Sequence, residues 1–191
     1  MSLNKFNLFS TPVWQTKILN DNENNILKKN ILEKTQKEPT VNKTNAGGWQ
    51  SASILKEETF FNLINQVTEA IKNTELKPKK INFIQGWCNV NYKNNWNVIH
   101  NHGQYHLSAV YFVKKPSNSG ELVLRDPRAI LTATWGGWAD QIYKLTNENA
   151  IIYLNTNEKD LIIFPSFLDH FVTPSNSNEE RISIAFDIMC D

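Results

Sequence analysis

Arg181-Ile182-Ser183-Ile184-Ala185-Phe186-Asp187-Ile188 alternates without interruption between apolar residues and small or polar ones. A period of two is that of a β-strand with two different faces. Ile182, Ile184, Phe186 and Ile188 form one face, which is assigned to the side of a sheet covered by helices. Arg181, Ser183, Ala185 and Asp187 form the other face, turned toward the interior of a sandwich. Arginine is almost never fully buried without a partner, so an inward Arg181 requires an anion.

The chain before this stretch has the same texture back to Ile81. Ile81–Tyr92, Leu107–Val113, Glu121–Asp126, Ala150–Leu154, Asp160–Pro165 and His170–Val172 are short, β-rich runs separated by turn residues. Upstream of Ile81 the periodicity is helical. A polar helix is expected over Asn22 to Gln36, burying Ile26, Leu27, Ile31 and Leu32. A stronger one carries Phe60, Leu63, Ile64, Val67 and Ile71 on a single stripe, with Glu57 and Glu58 at its positive end and Pro78 as its stop. Leu8 to Trp14 reads as a short opening strand, and Ala46-Gly47-Gly48-Trp49-Gln50-Ser51 as a loop turned by its glycines. Many short strands after a helical beginning predict a mainly β, α+β architecture, a jelly roll with N-terminal helices on its larger sheet. One domain over 1–191 is expected, with the N-terminal strand and helices in 1–80 and the jelly-roll core in 81–191. Trp135-Gly136-Gly137-Trp138, in a long connection, reads equally well as a substrate loop and as ordinary packing.

The 191 residues carry 20 basic and 19 acidic side chains, a formal charge of +1. That balance gives no strong pull toward nucleic acid or anionic lipid. No run approaches the ~18 apolar residues of a membrane span, and the N-terminus does not read as a signal peptide. Cys88 and Cys190 lie in unrelated segments, which favours free thiols and a cytoplasmic setting.

The chemistry concentrates in histidine. Of the four histidines, His100, His102 and His106 lie close together, and His170 sits on a strand-like run far downstream. In an extended backbone His100 and His102 face the same way while Asn101 turns aside. His170 could then close one face of a metal ion, leaving open positions opposite as catalytic metals need. His106 reads as a neighbouring loop imidazole rather than a ligand. Asn89 and Asn91 share a strand face and are candidates to meet a ligand or water. Tyr111 reads chiefly as core, with a hydrogen bond to a bound cosubstrate as the lesser alternative. Arg125 and Arg128 flank Asp126-Pro127, where either could orient a substrate or pair with the aspartate. Trp87 and Trp96 read as packing.

Trp87 to Asp126 resembles the 2-oxoglutarate-Fe(II) oxygenase family of phages and marine bacteria. The shared pattern is His-x-His (His100, His102), a Ser-x-Val-Tyr strand (Ser108 to Tyr111), and Gly120 leading to Asp126-Pro127-Arg128. It closes with Phe164-Pro165-Ser166-x-Leu168-x-His170-x-Val172-x-Pro174 and then Arg181 to Phe186. Phe9 to Trp14 and Gly48 to Ser51 also look like the family, so the resemblance spans nearly the whole chain. More distantly the layout is similar to that of prolyl 4-hydroxylases, which carry His-x-Asp, a distal His and an Arg about ten residues further on.

The resemblance implies a double-stranded β-helix holding Fe(II) through His100, His102 and His170. It implies 2-oxoglutarate bound by Arg181 and Ser183, with Asn89 and Tyr111 as further cosubstrate candidates and O2 as co-reactant. Arg128 and Asp126 are the candidates toward substrate. The activity implied is hydroxylation of a small molecule or a peptidyl residue. His102 stands where the distant relatives have Asp, and Asp126 is the best replacement carboxylate, since Asp169 should point away from its neighbour His170. Three other readings compete: a three-histidine dioxygenase that does not use 2-oxoglutarate, a non-catalytic metal-binding jelly-roll module of a virus, and a metal-free remnant of the fold. The sequence leaves the substrate and the oligomeric state, including a homodimer, open. The cytoplasm of a bacterium or of a phage-infected host is the expected compartment.

Overall fold

The computed structural model describes residue 4, residues 10–128 and residues 150–191. The expected loop around Trp135 to Trp138, and most of the segment before Ser10, lie outside the described residues.

Two helices lie ahead of Ile81 among the described residues. Helix α1 (Asp21–Lys37) starts at a reciprocal cap, in which the Asn20 side chain accepts from the Glu23 N–H and the Glu23 carboxylate accepts from the Asn20 N–H. Asp21 and Glu23 in its first turn and Lys34 and Lys37 in its last complement the helix dipole. It buries Leu27 and Ile31 but leaves Ile26 exposed, contrary to expectation. Helix α2 (Phe61–Lys72) follows a 3-10 turn (Glu58–Phe60) and buries Leu63, Val67 and Ile71 at one-turn spacing. It ends at Asn73, five residues before Pro78, so the proline does not supply the stop.

Eleven strands form two antiparallel sheets among the described residues. The larger contains β1 (Trp14–Lys17), β3 (Trp49–Gln50), β4 (Ile81–Asn91), β6 (Leu107–Lys114), β9 (Asp160–Pro165) and β11 (Arg181–Cys190), in the order β1-β9-β6-β11-β4-β3. The smaller contains β2 (Asn45–Ala46), β5 (Trp96–His100), β7 (Leu122–Arg125), β8 (Ile151–Tyr153) and β10 (His170–Val172), in the order β2-β5-β10-β7-β8. From β4 to β11 the chain passes between the sheets as larger, smaller, larger, smaller, smaller, larger, smaller, larger, the winding of a double-stranded β-helix. Among the described residues the first strand is Trp14–Lys17, meeting the expected Leu8–Trp14 strand only at Trp14, and Leu8 and Phe9 lie outside the described residues. The sequence reading omitted β5, and the glycine loop is a Gly47-Gly48 turn between the short strands β2 and β3.

Packing follows the alternation of β11. Ile182, Ile184, Phe186 and Ile188 join Leu27, Ile31, Leu63, Val67 and Ile71 in one core between the larger sheet and the helices. A second core of Phe112, Leu122, Leu124, Ile162, Phe164, Leu168 and Val172 lies between the sheets. Polar residues on the inner face of β11 are therefore enclosed, and they mark the site.

Candidate metal centre

β5 and β10 are hydrogen-bonded neighbours, and His100 lies opposite His170 in their register. β5 ends at His100, after which Asn101 turns out to donate to the Asp169 carboxylate at 2.8 Å. The His102 backbone N–H then donates to Ser166 O at 2.8 Å, which returns its side chain to the interior. The ring centroids are 5.0 Å apart for His100 and His102, 4.3 Å for His100 and His170, and 5.3 Å for His102 and His170. One ligand nitrogen from each lies within 4.8 Å of the others, a spacing able to hold one metal ion.

The tautomers suit that use. His100 Nδ1 lies 2.6 Å from Val98 O and His170 Nδ1 lies 2.9 Å from Leu168 O. A carbonyl oxygen can only accept, so each Nδ1 carries the proton and each Nε2 presents its lone pair. Burial holds His170 neutral, with its pKa lowered to about 3, and His100 adds to the shift. His100 is lowered by burial as well. His102 differs: its Nδ1 lies 3.1 Å from Asp187 Oδ2, a carboxylate buried on the inner face of β11. Trp87 stacks on the outer side of that ring at 5.8 Å. Phe164 meets His170 edge-on at 5.0 Å.

Further along β11 lies a buried cation. Arg181 is 1 % exposed and makes no ion pair with any described carboxylate. Glu179 and Glu180, its sequence neighbours, both pair with Lys114 instead. One guanidinium nitrogen donates to Ser183 Oγ at 3.2 Å, the plane sits 5.0 Å from the Phe112 ring, and Nε has no partner. Burial lowers its pKa to about 10, against a pull upward from Glu121. Asn91 faces Arg181 and Asn89 faces Ser183 across the β4–β11 ladder, and Asn89 Oδ1 is also unpartnered. A desolvated guanidinium with free donors is costly unless an anion completes it. The surroundings of Arg181 thus call for an anion such as a carboxylate, and the three grouped imidazoles suit a metal ion.

Other expected residues lie elsewhere. Tyr111 is core, as chiefly read, and its place as a cosubstrate candidate is corrected: it faces the helices, and its hydroxyl donates to Asn24 Oδ1 at 2.8 Å, on the opposite side of the sheet from Arg181. The parity of β6 explains this, because Val110 and Phe112 alternate with Tyr111. Asp126 is not among the grouped ligand atoms, and its carboxylate is engaged by Arg128 at 2.6 Å. Asp169 faces outward toward Asn101, and Arg125 lies 3.9 Å from it. His106 Nδ1 contacts the Cys190 backbone. Asp187 had no role in the sequence reading, although its inward parity with Arg181 was plain.

Among the described residues, no helix is long and apolar enough to cross a membrane. A family profile described as "Putative 2OG-Fe(II) oxygenase" matches residues 85–187. No curated protein sequence matches the chain. Solved structures do. HygX from Streptomyces hygroscopicus, with nickel and 2-oxoglutarate bound, superposes with a TM-score of 0.67 at 8% identity, covering 94% of this chain and 83% of HygX. A Pseudomonas putida prolyl-4-hydroxylase gives 0.64 at 14% identity, covering 95% of each chain. A prolyl hydroxylase from Trichoplax adhaerens, in complex with a hypoxia inducible factor oxygen degradation domain peptide fragment, gives 0.69 at 14% identity, covering 95% of this chain and 85% of that one. At these identities the likeness is one of fold.

Proposed function

The chain belongs to the 2OG-Fe(II) oxygenase family matched over residues 85–187, and from that premise we propose that it is a hydroxylase whose Fe(II) is held by His100, His102 and His170. The family's requirements are Fe(II), 2-oxoglutarate and O2. The observation that carries the residue assignment is the convergence of three imidazole nitrogens within 4.8 Å, two of them fixed as Nδ1–H tautomers by backbone carbonyls.

When bound, the metal supplies the oxidative decarboxylation of 2-oxoglutarate to succinate and carbon dioxide, coupled to oxygen insertion into a substrate C–H bond. The chain's own work is placement. Val98 O and Leu168 O orient two imidazoles before any metal arrives. Arg181 and the Ser183 hydroxyl take the far carboxylate of the cosubstrate, leaving its 2-oxo acid end to chelate. Asn89, beside Ser183, is the next contact along that molecule. Phe112, Phe164 and Ile162 wall the cosubstrate from water.

The whole 1–191 chain acts as a single domain on this reading. The free thiols of Cys88 and Cys190 fit the reducing cytoplasm of a bacterium or of a phage-infected host. A peptide is the first substrate class to test, because the Trichoplax enzyme is described with one bound. Small molecules come second, since HygX is described with hygromycin B. Asp126 and Arg128 remain the candidates for substrate contact.

Anaerobic titration with Fe(II) and 2-oxoglutarate tests the proposal. A visible metal-to-ligand charge-transfer band should develop, vanish in His170→Ala and weaken in Arg181→Ala. A wild-type protein that takes up Fe(II) but shows no such band would favour a three-histidine dioxygenase that chelates substrate directly, a reading supported only by the all-imidazole ligand group.

A further inference from the structure

We propose that Asp187 is a positioning residue for His102, and that the two together restore the negative charge that an all-histidine ligand set lacks. This rests on the reading of His102 as a ligand. Asp187 is 1 % exposed, and its Oδ2 has no hydrogen-bond partner but lies 3.1 Å from His102 Nδ1. The two atoms lie within hydrogen-bond distance, but the geometry is not that of an aligned hydrogen bond. A buried carboxylate oxygen left in that state is expensive, and it is aimed at a ring that would hold the metal by its other nitrogen.

The surroundings hold both partners in place. Ser108 Oγ donates to Asp187 Oδ1 at 3.4 Å and shares a 2.9 Å hydrogen bond with Ser166 Oγ. Ser166 also accepts the His102 backbone N–H through its carbonyl. The chain therefore closes a ring running from the His102 backbone through Ser166, Ser108 and Asp187 to the His102 imidazole. No lysine or arginine pairs with Asp187 among the described residues, so the imidazole is the group that meets its charge. A carboxylate behind a ligating imidazole raises the donor strength of that imidazole and fixes its orientation. Asp187 is not itself in the ligand group.

The test measures Fe(II) affinity anaerobically, by competition with a chromophoric chelator, and the energy of the charge-transfer band with 2-oxoglutarate. Asp187→Asn keeps the shape and a hydrogen-bond acceptor but removes the charge. It should weaken Fe(II) binding roughly 10- to 100-fold and shift the band. His102→Asp should bind Fe(II) poorly, because two carboxylates then crowd one buried site, and adding Asp187→Asn to it should restore affinity. The same substitution thus acts in opposite directions in the two backgrounds, which a merely structural aspartate would not do. If Asp187→Asn does not fold, Ser108→Ala keeps the carboxylate but frees Oδ1, and weakened Fe(II) binding is the expected result. Unchanged affinity and band in Asp187→Asn, same-sign effects in both backgrounds, or unchanged binding in a Ser108→Ala protein used as the substitute, each overturn the inference. Loss of Fe(II) in His170→Ala alongside unchanged Asp187→Asn would leave the proposed function standing while this inference falls.

Discussion

On the proposed reading, Arg181 is a residue poor for stability and necessary for binding. Its guanidinium is enclosed, has a free Nε, and rests against Phe112 with only a serine hydroxyl to answer it. A buried charge with no counter-ion is costly, and replacing even a buried ion pair with apolar side chains of similar volume is often stabilising by about 1–4 kcal/mol. Arg181→Met should therefore raise the urea midpoint of the metal-free protein while weakening 2-oxoglutarate by about 2–4 kcal/mol, roughly 30- to 700-fold. Denaturation and cosubstrate titration on one preparation check both halves. His170 supplies a second residue-level expectation. Its pKa falls from an ordinary 6.5 to about 3 on folding, mainly through burial. Between those values the unfolded chain binds the proton and the folded one does not. The contribution to stability is thus complete above pH 6.5 and is lost as pH falls toward 3, at about 1.4 kcal/mol per pH unit. Urea midpoints of the metal-free protein at several pH values in that window should show the slope, and His170→Gln should flatten it.

Among the elements, the Gly47-Gly48 turn and strand β11 place the site most directly. Gly47 and Gly48 have φ of 75° and 73°, in the left-handed region, and carry the chain from the smaller sheet to the larger. A Cβ on Gly48 would lie 2.6 Å from Val90 O, on the strand that bears Asn89 and Asn91. Gly48→Ala should cost about 1–3 kcal/mol, read as a lowered urea midpoint, and should loosen 2-oxoglutarate binding by disturbing β4. β11 has the opposite character, with its design written in its own alternation. Paired with β4 on one side and β6 on the other, it sends isoleucines to the helices and Arg181, Ser183 and Asp187 inward. β5 was harder to read. Trp96-Asn97-Val98-Ile99-His100 is broken by asparagine and exposed on much of its length, so it lacks a clean two-residue period.

For the whole molecule, the proposed site has metal and cosubstrate bound between the two sheets, where they should tie them together. At about 100 times the dissociation constant, ligand adds about 2.7 kcal/mol, which for a chain of this size is roughly 5–10 °C in Tm. Thermal unfolding with Fe(II) or Ni(II) plus 2-oxoglutarate should show that rise. Chelator should reverse it, and His170→Ala should not show it. The sequence by itself determined the two-faced strands, the amphipathic helices and the inward parity of Arg181. Those are local periodicities, carried by neighbouring residues and by the cost of exposing or burying them. It also made His100, His102 and His170 a candidate set, through the His-x-His spacing and then the resemblance. Tertiary structure alone decided that Tyr111 answers Asn24 on helix α1, that Asp126 is held by Arg128, and that Asp187 comes to lie behind His102. Each of these depends on which strand neighbours which and in what register. That pairing is settled by contacts across dozens of residues, which no short window of sequence contains.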